Sequence, residues 1–65
     1  MNIEAEKDEI YRHVEKGNYH AAINLAISAL NMCRRNEDQP GVDQFLDVIK
    51  DIVQTMTDEF GSKKT

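Results

Sequence analysis

The chain lacks tryptophan, has one cysteine, one proline and three glycines in 65 residues, and contains no long apolar run. Each shortage excludes something. Cys33 has no partner within the chain, so no intrachain disulfide staples the fold, and a lone thiol fits a reducing, cytoplasmic setting. No stretch approaches the roughly 20 apolar residues of a membrane span. The opening "MNIEAEKDEIYRH" has none of the apolar core of a secretion signal. A surplus of basic residues is also missing, because the formal net charge is −4. Nucleic-acid binding normally needs a basic stripe to displace counterions from phosphates, so direct binding of that kind is disfavoured. The acidic balance favours a protein partner instead.

What remains is helical. Apolar residues recur at intervals of three and four, and the breaking signals fall at two places only. The first helix spans about residues 3–16, with acidic residues in its early turns, where the helix dipole favours them. Its apolar stripe, Ile3, Ile10, Tyr11 and Val14, is thin, and fraying is expected over residues 1–6. Gly17 can adopt a left-handed stop, and Asn18 is placed to cap the next helix with its side chain. The second helix runs over 19–35, with Tyr19, Ile23, Ala26, Leu30 and Cys33 forming one seam and Ala22, Ala29, Leu25 and Met32 widening it. Only a narrow polar stripe interrupts it (His20, Asn24, Ser28, Asn31), so this helix is central, and its alanines admit close neighbours.

"NEDQPG" at 36–41 reads as a loop broken by Pro40 and Gly41, and a third helix follows over about 42–60. Val42, Phe45, Ile49, Ile52 and Met56 make a heptad seam, with Leu46, Val53 and Phe60 alongside it. Asp43, Asp47, Asp51, Gln54 and Asp58 fill the opposite face. Val48 adds little to this pattern, and Gly61 is placed as the stop. Residues 1–62 are expected to form a single small helical domain, with 63–65 a polar flexible tail.

"GNYHAAINLAISAL" resembles the second half of a tetratricopeptide repeat, carried by Gly17, Tyr19, Ala22, Ile23, Ala29 and Leu30. The resemblance implies a tight turn at Gly17 between antiparallel helices. It also implies Tyr19 packing across the hairpin, Ala22 at the helix contact and Ala29 under the next crossing helix. It further implies a protein-binding role, because such repeats are scaffolds for protein partners. Together with Ala26, these residues define the expected hairpin packing. One such unit does not make an array, which wants about three repeats.

Chemistry-bearing residues are sparse. His13, His20 and Cys33 are metal-ligand types, but no CxxC or HExxH spacing joins them, and no metal or cofactor is expected. Cys33 beside Arg34 and Arg35 could be an activated thiol, yet it lies on the apolar seam at a helix C-terminus, where the dipole opposes a thiolate. Asp47 and Asp51, one turn apart, have no accompanying nucleophile and read as a solvated face. No enzyme activity or small-molecule substrate is therefore expected.

The expected architecture is all-α, a helical hairpin plus a third amphipathic helix, tetratricopeptide-like and packed in a homodimer. The apolar area of helices two and three exceeds what helix one can cover. Val42, Phe45, Leu46, Ile49, Ile52, Val53, Met56 and Phe60 form the expected partner or dimer interface, and the function read from this is a non-enzymatic interaction module. The alternative is a transcriptional regulator that binds nucleic acid weakly or occupies a DNA-binding protein.

Overall fold

The computed structural model describes residues 2–60 as three helices packed on one another: α1 (Ile3–Glu15), α2 (Tyr19–Arg35) and α3 (Gln39–Phe60). The stop expected at Gly61 and the tail expected at 63–65 lie outside the described residues. No strand occurs among the described residues, and no helix there is long and apolar enough to cross a membrane.

α1 is helical from Ile3 onward, contrary to the expected fraying. Asn2 accounts for the difference. Its side-chain oxygen accepts from the Ala5 amide at 3.1 Å, and its carbonyl accepts from the Glu6 amide at 3.0 Å. The cap thereby satisfies the otherwise orphaned Ala5 amide, and the Glu6 bond is the first rung of the helix.

The two interhelical turns follow one pattern, twenty positions apart. In the first, the Gly17 amide donates to the Val14 carbonyl at 3.0 Å and Asn18 donates to His13 at 2.8 Å. In the second, Glu37 donates to Arg34 at 3.0 Å and Asp38 to Cys33 at 2.8 Å. Both are Schellman closures with a left-handed residue in the middle. Gly17 takes φ 80 without steric cost, whereas Glu37 takes φ 56 with a Cβ against it. The last residue of each turn also starts the next helix: the Ala22 amide donates to the Asn18 carbonyl and the Val42 amide to the Asp38 carbonyl. Asn18 does this with its backbone alone, so the expected side-chain cap does not form.

The expected loop at 36–41 is half helix. Asp38 is the cap, accepting from the Gly41 amide at 3.1 Å, and α3 begins at Gln39. Pro40 is compatible because first-turn residues need no amide donor. Gly41 is not a breaker but a contact. A Cβ there would meet Cys33 Sγ at 2.6 Å and Asp38 Oδ2 at 2.7 Å, so only glycine lets the start of α3 close on the end of α2.

The core consists of Ile10 from α1, Ala22, Ala26, Ala29 and Cys33 from α2, and Val42, Phe45, Val48 and Ile52 from α3. On α2 the innermost line is thus Ala22, Ala26, Ala29 and Cys33, so Ala26 and Cys33 of the expected seam lie deepest and the rest of it does not. Tyr19, Ile23 and Leu30 flank it and are only partly covered. Val48, assigned little weight in the sequence, is almost fully buried.

Two substitutions test the turn geometry. Glu37→Gly should raise stability by roughly 0.5 kcal/mol, the relief of a left-handed Cβ less the added chain entropy. Gly41→Ala should lower it by about 1–3 kcal/mol through overpacking against Cys33. Urea unfolding of the three proteins reads both.

Candidate docking face

α3 carries three different longitudinal stripes. One, built on Phe45, Val48 and Ile52, is sunk in the core. A second faces α1 and is polar. There the Tyr11 hydroxyl donates to Asp51 Oδ2 at 2.9 Å and Lys7 Nζ donates to Gln44 Oε1 at 3.5 Å. These groups, with Asp47, Lys50 and Gln54, line an open groove of about 530 Å³. The third stripe is apolar and, among the described residues, only partly covered: Ile49 and Met56 rest on the core and Phe60 on Tyr19, while Leu46 and Val53 are open. Leu46, Ile49, Val53, Met56 and Phe60 follow one another at intervals of three and four, the spacing that keeps side chains on one line of a helix.

α2 extends this third stripe sideways. The helices run antiparallel, with the Tyr19 ring edge-on to Phe60 at one end (centroids 6.1 Å apart) and Cys33 against Gly41 at the other. Ile23 lines an open apolar groove of about 380 Å³ with Val53, Met56, Thr57 and Phe60. Ile27 and Leu30 continue the same side of α2 at helical spacing. The exposures are high for such side chains: Ile27 44%, Leu46 46%, Val53 49% and Phe60 69%. The α2–α3 pair therefore takes Ile10 of α1 into its core beside an open polar groove, and turns a mostly apolar side to solvent.

The eight residues expected to meet a partner divide accordingly. Val42, Phe45 and Ile52 are buried inside the chain and are corrected to core positions. They project between α3 and the alanine stripe of α2, where the small side chains leave room for them. Leu46, Ile49, Val53, Met56 and Phe60 remain on or beside the open face. Ile23 joins them from α2, as does Ile27, which the sequence reading did not single out; its signal was its place one turn after Ile23 on the same flank. Tyr19 also departs from its expected place. Its hydroxyl donates to Glu59 Oε1 at 3.0 Å, so it pins α2 to the end of α3.

The remaining candidate groups do not converge. No cluster of three His, Cys, Asp or Glu side chains able to hold a metal forms among the described residues. Cys33 is buried, and desolvation together with the nearby Asp38 carboxylate pushes its thiol up, away from the reactive thiolate. His13 is partly buried with its Nδ1 enclosed and unpartnered. Asp47 and Asp51 lie on the exposed edge of the α1–α3 groove.

No family model matches the chain, and comparison with curated proteins and with solved structures likewise finds no match.

The α1–α3 bridge is visible in a titration. Burial, then the hydrogen bond to Asp51, then the charges of Asp51 and Asp47 push the Tyr11 phenol from 10.0 up to about 12. The folded chain therefore holds this proton more tightly than the unfolded chain. The contribution to stability is complete below about pH 10 and is lost as pH rises toward 12. An ultraviolet phenolate titration should show two late ionisations in the wild type, because burial and the hydrogen bond to Glu59 also raise the Tyr19 phenol, and only one in Tyr11→Phe.

Proposed function

We propose that this chain is a small non-enzymatic protein–protein interaction module, acting as an adaptor, regulator or chaperone-like factor. It works by burying the open apolar side of α2 and α3 against a protein, in the simplest case a second copy of itself. The supporting observation is the unbroken line Leu46–Ile49–Val53–Met56–Phe60, flanked by Ile23 and Ile27, with no charged residue inside it. Apolar patches of this extent on small proteins mark interaction surfaces. Fully burying each large side chain contributes roughly 1.5–3 kcal/mol, so even half-exposed ones leave a substantial drive for association.

The tetratricopeptide-like hairpin supports the same reading. In stacked helical repeats each unit leaves one apolar flank that the next helix covers. The lone, buried Cys33 suits a reducing, cytoplasmic setting. The regulator reading that involves nucleic acid has one favourable feature, Arg34 and Arg35 beside Asn31 at the end of α2. The carboxylates of α3 oppose it.

Leu46→Asp with Val53→Asp should leave the circular-dichroism helix signal intact, because both side chains are already half in water, while abolishing association. Ile52→Asp, by contrast, should unfold the chain, since that side chain is fully buried. Association that survives the double variant, or a wild type that associates with nothing, refutes the module.

A further inference from the structure

The open face has two unlike halves. Between Tyr19 and Arg35, α2 carries fixed charge only at Arg34 and Arg35. α3 carries Asp43, Asp47, Asp51, Asp58 and Glu59 against the single Lys50. Asp47 and Asp51 belong to the α1–α3 groove, so the charges beside the face are Arg34 at the end of α2 and Asp43 near the start of α3. Resting on the docking-face reading above, we infer that its occupant is a second copy of this chain, seated with α2 of each copy across α3 of the other, the twofold axis running parallel to the helices.

Area is the first support. Ile27, Leu46, Val53 and Phe60 are 44%, 46%, 49% and 69% exposed, which at roughly 200 Å² for a whole large side chain is on the order of 400 Å² of apolar surface, before the partly covered Ile23, Leu30, Ile49 and Met56 are added. A standard interface of about 800 Å² per partner, some two-thirds apolar at its core, needs a similar amount. The face can therefore hold a dimer without recruiting the polar α1 groove.

Charge sets the orientation. Arg34 stands one turn beyond Leu30 on the open side of α2, and Asp43 stands one turn before Leu46 on α3. Both lie at the end of the face where Cys33 meets Gly41. A twofold parallel to the helices keeps like ends together, so Arg34 of each copy reaches Asp43 of the other, both pairs at that one end. It also sets each α2 antiparallel to the α3 it crosses, giving four helices with antiparallel neighbours. A twofold perpendicular to the helices would lay α3 along α3 and carry Arg34 of one copy to the end opposite Asp43 of the other. Arg34 is available for this role. Its only side-chain hydrogen bond among the described residues is a 3.5 Å contact to Asn31 Oδ1.

Sedimentation equilibrium of wild type, Arg34→Glu, Asp43→Arg and the double swap tests the geometry. The wild type should be dimeric and weaken as salt is raised. Each single reversal should loosen the dimer about fivefold, and the swap should recover most of that loss. A swap no tighter than the single variants overturns the proposal. A second measurement stands apart from those charge changes: Val53→Cys in a Cys33→Ala background. A dimer that forms no symmetric disulfide there supports α2 across α3, and ready formation of one places α3 on α3 and overturns it. A wild type that stays monomeric at millimolar concentration also overturns it. The docking-face reading then stands or falls on whether Leu46→Asp with Val53→Asp abolishes binding to another protein.

Discussion

The whole arrangement depends on how closely α2 can be approached. Ala22, Ala26 and Ala29 form a stripe of single methyl groups, ending at Cys33, and larger residues from both neighbours fill the space above it. Ile10 enters from α1, and Phe45, Val48 and Ile52 enter from α3. Small-to-large complementarity of this kind packs a core densely with few residues, which matters in a chain too short to bury much of its surface. The same economy extends to the turn, where Gly41 lets the first turn of α3 touch Cys33.

That choice of small residues at the centre has a cost at the edges. The large apolar residues of α2 are displaced from the innermost line to its flanks, and those of α3 spread over more of its circumference than one neighbour can cover. α1 covers one flank and does so with polar groups, Tyr11 to Asp51 and Lys7 to Gln44. The other flank keeps Ile23, Ile27, Leu46, Val53 and Phe60 in or near solvent. The open face is therefore the counterpart of a core built around alanine.

Much of this was legible in the sequence. Helix periodicity placed α1 and α2 to within a residue and marked α2 as central, because the pattern depends only on local spacing. The excess apolar area was legible from composition. Which side faces which neighbour was not, since Ala26 and Ile23 are both apolar and only packing decides which lies deeper. Val48 escaped notice for the same reason: it lies off the heptad seam, next to Asp47, yet falls on the line that meets the alanines. Pro40 and Gly41 misled because breakers and first-turn residues share composition, and the deciding feature is the Asp38 cap, a three-residue relation within a turn. Glu37 carried no signal at all, since its left-handed backbone is imposed by the closure on either side of it.

The tight closures at Gly17 and Glu37 also shape how the chain finds its structure. Each joins consecutive helices with a connection of three residues, so the first contacts to form carry little loop-closure entropy, a condition for rapid folding. Two helical hairpins can nucleate, one at each turn, and α2 is common to both. Whichever forms first, the alanine-bearing helix is in it, so slow steps on the way to the native state must pass through its ordering.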